Sequence, residues 1–183
     1  MSTQSEYTRV SDILQFYQDF SNIPQEVLQL KAELGTEVHN VIDASFEGLY
    51  IEPGPKANGY IASFEKWKAQ TGVKVLIHEK RFYCDSLKIT GQPDAIVQFP
   101  NSEAKVLVDF KTTVAESAKF WSLQGCFYHY LCGKNGIDLG PRMIFLRLDK
   151  FGNFPKAHEY FFSNQMLNLC MSALNLYRFL KTT

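Results

Sequence analysis

The chain has little that would let it act through bulk properties. Lys plus Arg and Asp plus Glu stand at 19 each in 183 residues, a formal net charge of zero, so no global basic field collects a polyanion. Any nucleic-acid contact has to be local. Lys66, Lys68, Lys74, Lys80, Arg81 and Lys88 crowd the middle third and are candidates for such a patch, with a solvated charged face as the plain alternative. The four cysteines, Cys84, Cys126, Cys132 and Cys170, form no C-x-x-C pair and no metal spacing with histidine, which argues against a zinc site and for a reducing compartment. No apolar run reaches the length of a membrane span, and Met1 to Arg9 lacks an apolar signal core, so the expectation is a cytoplasmic protein with no membrane partner. No G-x-x-x-x-G-K-S/T loop occurs, so no nucleotide cofactor is expected.

Repeats, linkers and low-complexity tracts are also missing. With 45% hydrophobic residues the chain can bury one good core, and residues 1–183 are expected to form a single domain. Within it, 1–47 reads as N-terminal helices, 73–132 as a central segment carrying the chemistry, and 142–183 as strands and a final helix. Helical spacing predicts a first helix from Val10 to Phe20. After the break Ser21-Asn22-Ile23-Pro24, where Asn22 can cap and Pro24 can take an early position, a second helix runs to about Phe46. Its apolar stripe is Val27, Leu30, Leu34, Val38 and Val41 or Ile42. A helix from about Tyr60 to Gln70, closed by Gly72, precedes strands over 73–83, 87–99 and 105–112. A helix from Glu116 to Cys132, a strand from Arg142 to Asp149, a short strand near 157–162 and a helix over 164–181 complete the order expected of an α/β sandwich around a mixed sheet.

Asp109-Phe110-Lys111 carries the chemistry. It ends the apolar run Val106-Leu107-Val108, and alternation along a strand puts Asp109 and Lys111 on one face and Val108 and Phe110 on the other. A carboxylate in such a strand is costly unless paired or metal-bound. The partner strand Ile89 to Phe99, joined through the turn Pro100 to Ala104, brings Asp94 close to Asp109. Two acids and a lysine at a sheet edge suit a divalent cation and metal-assisted phosphodiester hydrolysis. Asp94, beside Pro93, also suits a plain turn. Glu79, after Val75 and Ile77 on one strand face, reads equally as a strand-end charge or a ligand. Gln124 and Tyr128 share a helix face, where Tyr128 is also a core candidate.

Taken in order, the helical Gly35-Thr36-Glu37-Val38-His39, Glu79, Gly91-Gln92-Pro93-Asp94, Asp109-Phe110-Lys111 and the pair Gln124 and Tyr128 resemble the PD-(D/E)XK nuclease superfamily. Within it they are similar to compact phage- and repair-type members of the RecB-like exonuclease branch, with its G-x-x-x-H, G-x-x-D, D-x-K and Q-x-x-x-Y elements. The resemblance implies a restriction-endonuclease-like α/β core, a central mixed sheet flanked by helices. It implies Asp94, Asp109 and Lys111 as catalytic residues, and one or two Mg²⁺ or Mn²⁺ ions on His39, Glu79, Asp94, Asp109 and the Phe110 carbonyl. Gly35, Thr36, Thr112, Gln124 and Tyr128 would support DNA, with Gln124 and Tyr128 bracing Lys111. No cysteine precedes Cys84, so the iron–sulfur cluster of some relatives is not expected.

The activity so implied is a metal-dependent exonuclease that hydrolyses DNA to 5′ phosphates, in recombination, repair or phage DNA processing. The partners would be DNA ends and, by analogy, an annealing or recombination protein or a helicase. Two other readings stay open: a catalytically silent nuclease fold that only binds nucleic acid, and a metal-dependent hydrolase or interaction protein acting on an unrelated partner.

Overall fold

In the computed structural model, which describes residues 6–113 and 117–182, a five-stranded mixed sheet is covered by helices on both faces. The elements are β1 (Thr8–Arg9), α1 (Val10–Gln15), α2 (Gln25–Phe46), α3 (Asn58–Thr71), β2 (Lys74–His78), β3 (Phe82–Cys84), β4 (Ile89–Gly91), β5 (Ala95–Gln98), β6 (Lys105–Lys111), α4 (Ala118–Lys134), β7 (Arg142–Arg147), β8 (Lys156–Phe161) and α5 (Asn164–Lys181). The main sheet has the order β2-β5-β6-β7-β8, with β6 and β7 parallel and the other pairs antiparallel. A second sheet of three short strands, β1-β4-β3, lies beside it.

Strand alternation sends each face of β6 into a different core. Val106, Val108 and Phe110 join Val38 and Ile42 of α2 and Phe64 and Trp67 of α3, while Leu107 faces the second core with Phe127 and Leu131 of α4, Cys170 and Leu174 of α5, and α1. Burying residues as large as Phe110, 1% exposed, contributes about 1.5–3 kcal/mol each. All four cysteines are buried free thiols in this second core.

Several elements depart from the pattern read in the sequence. The first helix stops at Gln15 instead of Phe20. Asn22 caps nothing: Pro24 is the N-cap of α2, in extended backbone with no side-chain hydrogen bond. The stripe of α2 is buried only from Val38 onward, since Val27 and Leu30 are 39% and 58% exposed. The expected strands over 73–83 and 87–99 each divide, because β3 and β4 leave the main sheet to pair with each other. The expected helix start at Glu116 lies outside the described residues, and α4 begins at Ala118. Among the basic residues of the middle third, Lys66 donates to the Gly152 carbonyl at 2.6 Å, Lys68 lies over Phe46 and Phe64, and Lys88 pairs with Glu6.

Two glycines set close approaches. A Cβ at Gly59, in the first turn of α3, would lie 1.8 Å from the Lys150 carbonyl, so the turn after β7 seats directly on that helix. A Cβ at Gly91 would lie 2.7 Å from Cε1 of Tyr128, so β4 rests against the ring of α4. Glycine is what permits either contact.

Candidate active site

The site forms where β5 begins and β6 ends, between α2 on one side and α4 on the other. Asp94, 7% exposed, immediately precedes β5 and accepts the Phe110 N–H through Oδ2 at 2.5 Å. That bond ties the chain before β5 to β6 and fixes Asp94 beside Asp109. Asp109 is 2% exposed and ion-paired with Lys111 two residues on, as their shared strand face requires. Phe110 between them turns its ring into the opposite core, so a single strand delivers both packing and charge.

Helix α2 crosses the sheet there and lowers His39 onto the acids. Its Nδ1 lies 3.0 Å from Asp94 Oδ1 and 3.9 Å from Glu79 Oε1. One ligand atom from each of His39, Glu79 and Asp94 falls within 4.8 Å of the others. Burial alone would lower the His39 pKa, but Asp94, Glu79 and Asp109 more than offset it and raise it to about 10. Burial likewise resists charge on Asp109, Asp94 adds to that, and Lys111 only partly offsets them, leaving Asp109 raised to about 6.

Glu79 reaches the site by a different route from the expected one. The β2–β5 register shifts between Val75 and Ile77, so Val75 packs toward the α2–α3 core and Ile77 toward the opposite core. They do not share a face. This bulge re-aims the end of β2, and Glu79 lies beyond the strand in left-handed backbone, φ 43°, with its N–H bonded to the Asp94 carbonyl at 3.0 Å. Gln92, which sequence reading passed over, donates to the Glu79 carboxylate. Its place in Gly91-Gln92-Pro93-Asp94 was the available signal.

On the far side, Lys111 Nζ donates to Gln124 Oε1 at 3.0 Å, and Gln124 Nε2 donates to the Tyr128 hydroxyl at 3.0 Å. Lys111 also lies over the Phe145 ring, 5.3 Å from its centroid. Tyr128 is buried against Gly91, and burial beside Asp109 raises its pKa and keeps it protonated. Four-residue spacing on α4 thus makes a relay that holds the ammonium.

Gly35 and Thr36 sit less centrally. A Cβ at Gly35 would lie 3.5 Å from Thr112 Oγ1, ordinary contact, so the approach of helix and strand does not require a glycine there. Thr36 lines a groove with Gln29, Glu33, Asn40 and Glu52 whose lining includes none of His39, Glu79, Asp94 and Asp109. His78 pairs with Asp43 on α2 at 2.5 Å, and His129 bonds the Gly140 carbonyl at 3.2 Å.

The donor set fits a hard divalent cation. One imidazole and two carboxylates converge, a third carboxylate is buried beside them, and thiols are absent from the group.

The chain has the fold of exonucleases of known structure. It superposes on the alkaline exonuclease LHK-Exo from Laribacter hongkongensis with a TM-score of 0.54 and 9% identity, covering 96% of this chain and 88% of that one. A candidate exonuclease from Eubacterium rectale gives 0.52 and 13%, covering 94% and 78%. No protein-family model and no curated protein matches the chain.

Proposed function

We propose that this protein is a divalent-metal-dependent DNA exonuclease that hydrolyses phosphodiester bonds to leave 5′ phosphates. The convergence of His39, Glu79 and Asp94 within 4.8 Å, next to the buried Asp109–Lys111 pair, carries the reading. The fold shared with LHK-Exo supports it.

His39, Glu79, Asp94 and Asp109, with the Phe110 carbonyl, would hold one or two Mg²⁺ or Mn²⁺ ions. Such an ion supplies Lewis acidity, making water a stronger nucleophile at neutral pH and offsetting charge on the phosphate. Asp94 does double duty, since its other oxygen holds the Phe110 N–H and with it the end of β6. Lys111 is aimed by Gln124, so its ammonium can orient the attacking water and meet charge growing on the phosphoryl oxygens. His39, its pKa raised to about 10 by the neighbouring carboxylates, carries a proton at neutral pH without metal and would have to release it to serve as a ligand. The role of the protein in recombination, repair or phage DNA processing, and any annealing protein or helicase that acts with it, belong to this proposal by analogy alone.

The test is digestion of end-labelled linear DNA, single- and double-stranded, beside a closed circle, with Mg²⁺, Mn²⁺ or EDTA. Metal-dependent loss of linear DNA only, absent in Asp109→Ala and Lys111→Ala, is the expected result. DNA binding without cleavage under any condition would leave the non-cutting fold as the correct reading.

A further inference from the structure

Lys111 has a second neighbourhood, unlike the acidic one. On the side away from Asp94, it and Gln124 form the floor of a cleft of about 350 Å³ between the start of α4 and the segment that joins α1 to α2. Phe20, Ile23 and Leu28 wall it on one side and Phe120 and Trp121 on the other. Its charged lining residues among those described are Lys31 and Lys111, with no carboxylate. Four other grooves differ in this respect: those along α2 carry Glu33, Glu37, Glu52 or Glu65, and those near α5 carry Asp12. Aromatic and aliphatic walls with two lysines, and no acid among the described lining residues, suit a flat, apolar group attached to an anion. Its volume lies at the low end of small-ligand pockets, about 300–1,000 Å³, room for one nucleotide rather than a duplex.

We infer that this cleft receives the base of an unpaired terminal nucleotide, whose phosphate then lies over Lys111 between the slot and the acids. This deepens the nuclease reading and rests on it. The preferred DNA end is accordingly single-stranded or frayed, because a paired base cannot enter a slot closed by Phe20, Ile23 and Leu28. The 38% exposure of Phe20 at the edge of this slot has the same explanation: it is a wall awaiting a stacked base.

The experiment compares the protein and its Ile23→Trp and Leu28→Trp variants on labelled single strands that end in a normal nucleotide or in an abasic one. The expected result is a kcat/KM roughly tenfold lower for the abasic end with the unaltered protein, the scale of one base–aromatic stack. Blunt duplex should be cut more slowly than the same duplex with a short overhang. In the tryptophan variants, which fill the slot, normal and abasic ends should be cut at the same reduced rate. Equal rates on normal and abasic ends by the unaltered protein would overturn the base slot and leave the nuclease in place. Preference for blunt duplex over the overhang would overturn it as well. Absence of cleavage of every substrate would instead remove the nuclease reading itself, and the slot with it.

Discussion

Two ion pairs on neighbouring strands show how differently the same chemistry is used. Arg142 on β7 and Glu159 on β8 meet at the surface, with side chains 38% and 41% exposed and a guanidinium Nε bond of 3.0 Å. Asp109 and Lys111 meet on β6 with side chains 3% and 17% exposed. Water can replace the first pair on separation, so it contributes about 0–1 kcal/mol. The second has given up its water, stands beside Asp94, and holds Asp109 at a pKa near 6 where an exposed aspartate would be about 4. A fold does not gain stability from such a cluster. It keeps the cluster for what the charges do together.

The sharpest way to break the contrast is by activity. Lys111→Ala and Asp109→Ala should each lower the cleavage rate by about 100-fold or more, whereas Arg142→Ala should leave it within about twofold. Initial rates at saturating Mg²⁺ decide this. Stability should then divide the buried pair itself. Lys111→Ala leaves the buried Asp109 carboxylate without its ion-pair partner and should lower the metal-free Tm by several degrees, corresponding to about 3 kcal/mol. Asp109→Asn removes a charge that burial and Asp94 oppose and should raise the Tm. Calorimetry in EDTA checks both.

A third test uses pH. Asp109 has its folded pKa raised above the unfolded value, so its contribution is fully present below about 4 and is lost as pH rises through about 6. His39 is also raised, so its share is present below about 6.5 and is lost as pH rises through about 10. Metal-free protein should therefore lose stability from both groups on the alkaline side, and His39→Gln should flatten the upper part of the curve. The same protonated His39 predicts proton release when metal binds at pH 7–8. The apparent binding enthalpy should then vary linearly with the ionisation enthalpy of the buffer. The smallest effect is expected at the surface: Arg142→Ala or Glu159→Ala should change stability by about 0.5 kcal/mol, and salt should shrink it further.

The sequence displayed this site in fragments of unequal clarity. Asp109 and Lys111 were legible because period-two alternation is local, and Gln124 with Tyr128 because four-residue spacing is local too. α2 could be recognised as a helix from its stripe, yet the stripe said nothing about what covers each end. Val38 meets the sheet and Leu30 meets solvent although both obey the same spacing. The route of Glu79 was hidden because one extra residue in β2 reverses the parity of everything after it, and no residue between Val75 and Ile77 marks the bulge. The division of 87–99 into two strands was hidden for a related reason. Pro93 interrupts the ladder, and which sheet each fragment then joins depends on partners far along the chain.

Gly91 links the parts of this machine in a way that matters for how the protein can change. Three residues before Asp94 in sequence, it touches in space the ring that steadies Gln124 and hence Lys111. Any side chain there pushes on the Tyr128 ring and on Leu131, and so on the face of α4 that aims Lys111. Variation at position 91 is thus closed to gradual tuning, while Gly35, with room for a methyl group, lies open to it. A lineage or a library exploring new substrates would be expected to move along α2 and the walls of the slot, and to leave this joint alone.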